Sequence, residues 1–293
     1  MTLSGGTLVS YVGSMSERDE YPPGVPCWVD TLQPDLDSAL KFYGGLFGWA
    51  FGGPGPMQPG AGGTPGRYFV ARIRSRDVAG IGSQPAVGEP AMPAWTTHVA
   101  VTSAADTAAD AARLGGTVLV PPFDALPAGR MAVLQDPGGA VFCAWEPVDR
   151  GGAQVVNEPR AWAMSTLVTS APAACAEFYG KLFGWKTESF GTGPRTATLF
   201  RLPGYVGGEP RQPVPRDVVA VMAPGTASAP RGPSHWSVDF WIDDAEAAAG
   251  KATCLGGLLL GPVEARGMFR TAVIRDPQGA VFSISQLVGS AGA

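Results

Sequence analysis

The sequence contains few of the side chains that hold metal ions or staple small domains. It has two histidines and four cysteines among 293 residues, and no two cysteines are spaced as a CxxC pair. The cysteines do not recur at corresponding positions of the two halves of the chain. This pattern predicts reduced thiols in a cytoplasmic protein rather than a disulfide framework.

Charged residues are also sparse. They make up 16% of the chain, the net charge is −4, and Lys and Arg form no cluster. A nucleic-acid-binding role therefore lacks an electrostatic basis. No apolar run approaches the roughly 18 residues that a membrane span needs, and residues 1–25 lack the basic start and apolar stretch of a secretory signal. We expect a cytoplasmic protein with neither nucleic acid nor a membrane as its partner.

The two halves of the chain carry the same motifs in the same order. The segment Phe42–Trp49 (FYGGLFGW) returns as Phe178–Trp185 (FYGKLFGW), and Asp136–Phe142 (DPGGAVF) returns as Asp276–Phe282 (DPQGAVF). These pairs lie 136 and 140 residues apart, which is the length of a domain and far longer than the unit of a solenoid. The sequence therefore predicts two homologous domains in tandem.

Composition and periodicity predict how the two domains are laid out. We expect a flexible tail at residues 1–22, a first domain at 23–147, a polar linker at 148–159 and a second domain at 160–289. Ser103, Ser170 and Asp243 are the expected N-caps of three helices. The glycines and prolines of 51–66 predict a flexible loop, and 203–215 is an insertion in the second domain. Helices are predicted at about 35–47, 104–114, 171–183 and 244–255, and strands in the first domain at about 25–32, 67–74, 77–83, 96–102, 130–135 and 139–146.

The order strand, helix, strands occurs twice within each half. Together with a Phe-Tyr helix near the start and an Asp-Pro-x-Gly turn before the last strand, it resembles the vicinal oxygen chelate superfamily of glyoxalases, bleomycin-resistance proteins and ring-cleaving dioxygenases. The resemblance covers about residues 25–287. It implies an α+β fold in which paired βαβββ units form curved mixed sheets around a cavity, one cavity per domain. Catalytic members of the superfamily hold a divalent metal there, with His and Glu side chains on inward-facing strand positions.

Side chains alternate between the two faces of a strand, and this locates the same positions here. Val99 and Val101 are expected to pack under a helix, so His98 faces the cavity, and the same reasoning turns Asp239 inward in the second domain. A divalent metal ion of the kind that catalytic members hold needs three or more His or carboxylate ligands. No combination of inward-facing residues, within one domain or between the two, supplies them. The sequence predicts a protein without a metal or other cofactor. Counting from the repeated motifs gives the remaining positions as Trp28 and Cys143 in the first domain and Met164 and Ser283 in the second.

Two inward-facing residues are candidates for proton transfer. His98 has the pKa range of a general acid or base, but it could also be a former ligand residue with one internal hydrogen bond. Asp239 in an apolar cavity is costly unless it is paired or bound to a ligand. It could act as a base, pair with a cationic ligand, or form an ion pair with Arg270 across the cavity. Arg130 and Arg270 occupy matched positions, which favours a structural role such as holding the Asp-Pro turn.

The other inward positions predict a ligand pocket. Aromatic and sulfur-containing side chains suit a flat organic molecule, although they also occur in ordinary core packing. Cys143 could be a nucleophile, but an inert buried thiol is favoured because no base can be placed beside it. The candidate ligand-binding residues are Trp28, Asp30, Cys143, Trp145, Met164, Trp241 and Ser283.

Three functions remain in competition at this point. The first is a metal-independent protein that binds or sequesters a small molecule, as the bleomycin-resistance branch suggests. The second is a metal-independent isomerase, cyclase or lyase of specialised metabolism that uses His98 or Asp239, and the third is a structural tandem with filled cavities. Because the tandem already supplies the interface that single-domain members obtain by dimerising, we expect a monomer whose partner is a small-molecule ligand.

Overall fold

The chain forms two α+β domains in a computed structural model that describes residues 17–57, 66–84, 92–191, 197–207, 215–225 and 234–288. Over these residues, the first domain contains an eight-stranded sheet and the second a nine-stranded sheet. No helix among the described residues is long and apolar enough to cross a membrane. The helices are α1 Leu36–Phe47, α2 Ala104–Arg113, α3 Pro172–Phe183 and α4 Ala245–Cys254.

The first domain contains the six predicted strands and two that were not predicted, at 50–57 and 117–125. The strands of this domain are β1 Pro26–Gln33, β2 Ala50–Met57, β3 Gly66–Ile73, β4 Arg76–Ser83, β5 Trp95–Ala100, β6 Thr117–Ala125, β7 Gly129–Gln135 and β8 Val141–Pro147. In the second domain they are β9 Trp162–Thr169, β10 Lys186–Phe190, β11 Ala197–Arg201, β12 Val218–Pro224, β13 His235–Trp241, β14 Leu258–Leu259, β15 Glu264–Arg266, β16 Phe269–Arg275 and β17 Val281–Leu287.

Each sheet joins two βαβββ units side by side. The first sheet has the order β2-β3-β4-β1-β5-β8-β7-β6. Within it, β1 is parallel to β4 and antiparallel to β5, and β5 is parallel to β8. The second sheet repeats the arrangement as β10-β11-β12-β9-β13-β17-β16-β14, with β15 added beside β16. The expected vicinal oxygen chelate architecture is thereby confirmed.

The helix ends follow local capping chemistry, with two corrections. Ser103 caps α2 as expected, because its side chain accepts a hydrogen bond from the backbone of Asp106. The predicted cap Ser170 is wrong, since α3 begins after Ala171 and the hydroxyl of Thr169 accepts from the Ala171 N–H instead. Asp243 is wrong by one position, because Asp244 accepts from the N–H of Ala247.

Two segments expected to be flexible are ordered where they are described. Strand β2 covers 51–57 of the predicted loop and pairs with β3, with an irregular register between Gly52 and Gly55. Residues 58–65 lie outside the described residues. In the predicted tail, Glu17 bridges to Val155, and the Tyr21 hydroxyl donates to the Ala153 carbonyl at 2.6 Å. Residues of the predicted tail within 17–22 thus contact the predicted linker. Residues 1–16, and 208–214 of the predicted insertion, lie outside the described residues.

The helix-bearing faces of the two sheets pack against each other. Phe47 of α1 lies 4.9 Å, between ring centroids, from Phe240 of the second domain, and α3 places Tyr179 5.5 Å from Phe142 of the first. Thr97 and Ser165 hydrogen-bond across the same interface, with 2.7 Å between their hydroxyl oxygens. This packing buries the outer faces between the domains, so each inner face points away from the other domain.

Candidate functional sites on the two inner faces

The sheet register brings the predicted inward residues together in each domain. In the first domain Trp28 is paired with His98, and His98 with Cys143. In the second domain the corresponding partners are Met164 with Asp239 and Asp239 with Ser283. Val99, the neighbour of His98, packs instead in the core under the helices. The six predicted residues therefore occupy adjacent positions on the central strands of the two sheets.

The inner face of the first domain is closed by its own side chains. Trp28 and His98 are only 5% and 2% exposed. The indole Nε1 of Trp28 donates to the Tyr68 hydroxyl at 2.8 Å, and that hydroxyl donates to Asp30 Oδ2 at 3.0 Å. Tyr68 can lie there because residue 80 is glycine, where a Cβ would come within 1.8 Å of the Tyr68 oxygen. The result is a hydrogen-bonded cover over the face.

His98 lies beneath this cover beside an acid. Its Nε2 is 3.0 Å from Asp30 Oδ1, which is an ion-pair distance. Neither ring nitrogen meets the geometric criteria of a hydrogen bond with any of the described residues. Trp145, the other aromatic residue predicted for this face, is buried, and its ring centroid lies 6.2 Å from that of His98. Its Nε1 donates a hydrogen bond to the Arg150 carbonyl.

Cys143 is buried next to His98 in the sheet. Burial raises the pKa of its thiol well above the ordinary value, and the charges of Asp30 and Cys27 raise it further. A thiol with a raised pKa carries little of the thiolate that nucleophilic chemistry requires. The environment therefore favours the inert-thiol interpretation of Cys143.

The inner face of the second domain is more accessible. Met164, Asp239 and Ser283 are each only partly buried, in contrast to the closed positions of the first domain. Trp241 is buried beside them, and the Ser285 hydroxyl donates to Asp239 Oδ1 at 2.8 Å. Polar and apolar groups thus lie side by side on a surface that another molecule can reach.

Asp239 has an unusual protonation equilibrium. Burial raises its pKa from 3.8 to about 7, and the hydrogen bond from Ser285 opposes the shift. The ion pair expected with Arg270 does not form, because Arg270 binds Glu246 of α4 at 2.5 Å. Arg130 likewise pairs with Asp124 at 2.7 Å and not with the Asp-Pro turn. Asp239 is therefore a carboxyl group without a cationic partner among the described residues.

The metal site implied by the superfamily does not fit these residues. The first face offers an indole, an imidazole and a thiol with a raised pKa, and the second offers a thioether, one carboxyl and a hydroxyl. In the described part of the chain, no group of three or more His, Cys, Asp or Glu side chains converges. A divalent cation of the kind described above requires such a set. We therefore derive no chemistry through a metal.

Replacing Asp239 with asparagine should stabilise the protein at alkaline pH. The folded chain binds a proton at Asp239 up to pH about 7, whereas the unfolded chain releases it near 3.8. The folded state therefore holds more protons between these values, and stability falls as pH rises through this window and stays low above it. At pH 8 Asp239→Asn should gain on the order of 2 kcal/mol, a figure reduced because the side chain is not fully buried.

Urea unfolding at pH 4 and pH 8 measures this effect. At pH 4 the variant and the wild type should unfold alike, because both then carry a neutral side chain. Asp243→Asn, at an exposed position just after β13, is the matched control. It should leave the free energy of unfolding unchanged at both pH 4 and pH 8. If Asp239→Asn and Asp243→Asn changed the free energy of unfolding equally at pH 8, the raised pKa of Asp239 would be contradicted.

Three contributors to these faces were not identified from the sequence. Tyr68 and Ser285 bind the two candidate carboxylates, and the Arg150 guanidinium lies 5.6 Å from the Trp28 ring centroid. Ser285 could have been found, since it lies two residues after Ser283 on the same strand and so shares its face. No sequence pattern pointed to Tyr68, because the position of its ring depends on the absence of a side chain at Gly80.

Comparison with known proteins agrees with this architecture. The model of the family described as "Glyoxalase-like domain" matches twice, at residues 28–145 and 164–285. The Mycobacterium tuberculosis protein named "Putative glyoxylase CFP32" is 35% identical over 274 residues, covering 92% of this chain and 97% of that protein. "Anthracycline biosynthesis protein DnrV" of Streptomyces peucetius is 31% identical over 275 residues, covering 91% and 94%.

A solved structure shows the same fold at low sequence identity. The 2,3-dioxygenase LapB from Pseudomonas sp. KL28 superimposes with a TM-score of 0.59 at 13% identity, covering 90% of this chain and 93% of that one. The family matches lie within the two sheets described above. The chain therefore belongs to the glyoxalase-like family and contains two copies of its domain in the vicinal oxygen chelate fold.

Proposed function

We propose that this protein binds a flat organic molecule on the inner face of its second domain, without a metal ion, in the biosynthesis of or resistance to an aromatic natural product. One observation carries the proposal. Trp28 and Tyr68 close the first inner face, whereas Met164 and Asp239 leave the second partly accessible. A partly accessible face that lacks a convergent ligand set for a cation is suited to binding an organic ligand directly.

The chemistry of this face supports an aromatic ligand with oxygen substituents. Met164 supplies accessible apolar surface, with Trp241 buried beside it, and such surface packs favourably against a flat ring system. Ser283 and Asp239 supply hydrogen-bonding groups beside it. Because its pKa is about 7, Asp239 exists in both protonation states near neutral pH, so it can donate to a quinone oxygen or accept from a phenol.

The relatives support the same ligand class. DnrV and the Streptomyces sp. (strain C5) protein DauV, which is 32% identical over 277 residues, are both named anthracycline biosynthesis proteins. Anthracyclines are fused-ring compounds that carry phenol and quinone oxygens. A compound of this kind combines the flat surface and the oxygen substituents that the second inner face can recognise.

Titration with a hydroxyanthraquinone tests the proposal. Quenching of tryptophan fluorescence should report saturable binding to the full chain, because Trp241 lies at the face. Asp239→Ala should weaken binding about tenfold, the effect of losing one hydrogen bond to an ionisable group. His98→Ala, at the matched position in the first domain, should leave the affinity unchanged. Absence of binding, or a loss confined to His98→Ala, would refute the assignment to the second domain.

A metal-independent enzyme is the second candidate, and the raised pKa of Asp239 favours it. A carboxyl group with a pKa of about 7 is suited to general acid–base catalysis at neutral pH. Mass spectrometry of the anthraquinone after incubation separates the two functions. A compound recovered unchanged indicates binding alone. Turnover that falls roughly 10²–10⁴-fold in Asp239→Asn would instead identify Asp239 as a catalytic residue.

A further inference from the structure

A cleft separate from both inner faces lies where the two domains meet. Its volume is about 360 Å³, which is within the range of small-molecule sites. One side is formed by the end of α1 and the start of β2, another by the turn between β3 and β4, and a third by Arg160 at the start of the second domain. Its lining includes Gly48, Phe51, Gly52, Arg72, Arg74 and Arg160.

The cleft carries an excess of positive charge. Arg72 binds Asp77 through its Nε at 2.8 Å, and Arg74 binds Glu158 through Nη2 at 2.7 Å. Arg150 also binds Asp77, so that one carboxylate is shared by two guanidinium groups. The Arg160 guanidinium forms no hydrogen bond or ion pair with any described residue. Several guanidinium N–H donors are therefore available to an anion.

The backbone allows these side chains to lie close to the floor of the cleft. A Cβ at Gly52 would come within 2.5 Å of Nη1 of Arg72, so the guanidinium lies directly against the strand. A Cβ at Gly48 would lie 3.7 Å from Nη1 of Arg160. Phe51 is a further lining residue of the cleft, and its ring lies against Gly44 of α1. Guanidinium groups and apolar surface are thus combined in one cavity.

We propose that this cleft binds a small organic anion, namely a carboxylate or phosphate monoester that carries a compact apolar group. Planar guanidinium groups bind both kinds of oxyanion through paired N–H donors. Phe51 in the lining accounts for the apolar part, because a bare oxyanion would fill only a small share of the cavity. Attraction of Arg160 to the carbonyl end of α1 does not replace this role, since its guanidinium forms no hydrogen bond there.

A bound anion would connect the two domains. The Arg160 N–H donates to the Trp241 carbonyl at 2.7 Å, and the Arg160 carbonyl accepts from Trp49 Nε1 at 2.8 Å. Arg72 and Arg74 belong to the first domain. A ligand held by all three arginines therefore spans the interface, and it should raise the melting temperature as its concentration increases.

Calorimetric titration of the full chain with phenyl phosphate, benzoate and inorganic phosphate tests the proposal. Phenyl phosphate or benzoate should bind at 150 mM chloride, at least tenfold more tightly than inorganic phosphate. Equal affinity for phenyl phosphate and inorganic phosphate would overturn the organic-anion assignment. Failure of both organic probes to bind would overturn the site itself.

Three charge-removing variants locate the binding. Arg160→Gln and Arg74→Gln should each weaken phenyl phosphate at least tenfold, while Arg113→Gln, an exposed arginine on α2, should have no effect. An equal loss in all three would indicate nonspecific attraction and refute the site. Two cleft variants are used so that a folding defect in one, visible as a lower melting temperature, leaves the other to decide. Hydroxyanthraquinone binding should be unchanged in both, which separates this result from the test of the second inner face.

Discussion

Replacing Asp276 with alanine should destabilise the protein by about 3–5 kcal/mol, the usual consequence of removing a buried charged hydrogen-bond partner. The carboxylate is 4% exposed. Its Oδ1 accepts from the backbone N–H groups of 278, 279 and 280, at 2.7–2.9 Å. Its Oδ2 accepts from Gln33 Nε2 at 2.8 Å and from the Tyr43 hydroxyl at 2.7 Å, both in the other domain. Alanine would leave five donors without their acceptor.

Replacing Asp276 with asparagine should lower the free energy of unfolding much less than replacing it with alanine. The asparagine oxygen can still accept from the backbone of the turn, whereas its amide takes the place of the oxygen that accepts from Gln33 Nε2 and the Tyr43 hydroxyl. We therefore expect Asp276→Asn to lose roughly a third of what alanine loses, about 1–2 kcal/mol. Urea unfolding followed by tryptophan fluorescence measures both values.

The repeat provides a matched test of this prediction. Asp136 holds the equivalent turn of the first domain, and its Oδ2 accepts from the Tyr179 hydroxyl at 2.9 Å. Asp136→Ala should therefore be destabilising as well. Asp124→Ala, which removes a half-exposed ion pair with Arg130, should change stability by less than about 1 kcal/mol. A similar effect of Asp124→Ala and Asp276→Ala would show that the buried turn has no special importance.

These contacts explain why the two motifs recur in the sequence. The sequence alone shows the recurrence but not the contacts. The Phe-Tyr helix and the Asp-Pro turn were recognised as repeats, and the fold and most helix bounds followed from them. Their partners could not be predicted, because Tyr43 and Asp276 are 233 residues apart and belong to different domains. Each tyrosine binds the aspartate of the other domain, so the motif pair forms a reciprocal interdomain connection.

Prediction failed mainly where glycine and proline obscured a strand. The segment now assigned to β2 was interpreted as a loop, since glycines and prolines interrupt its apolar pattern, although β3 pairs with it. For the inner faces, alternation predicted residues that are adjacent in the sheet register, namely Trp28, His98 and Cys143 in the first domain. It could not distinguish an open face from a closed one, because closure depends on Tyr68 folding over Gly80. The local sequence pattern thus predicts the direction in which a strand side chain points. Whether an inner face is accessible depends on contacts between residues that are distant in the sequence.

Exchanging the residues at the matched positions Trp28 and Met164 should show which inner face binds the ligand. In the first domain an indole at this position is buried and helps to close the face. Met164→Trp should fill the second face in the same way, because the larger ring occupies space that the ligand needs. Hydroxyanthraquinone affinity should fall by about 100-fold or more, which corresponds to about 2.7 kcal/mol.

The reciprocal substitution is the control. Trp28→Met should leave hydroxyanthraquinone affinity unchanged, since the first face is not used, but should destabilise the protein by about 1–3 kcal/mol through lost packing. Met164→Leu, which keeps a side chain of similar volume, should bind as the wild type does. Fluorescence titration of the three variants decides the matter. If Met164→Trp binds normally, the ligand does not occupy the second face. If Trp28→Met alone loses binding, the closed face of the first domain must open to receive it.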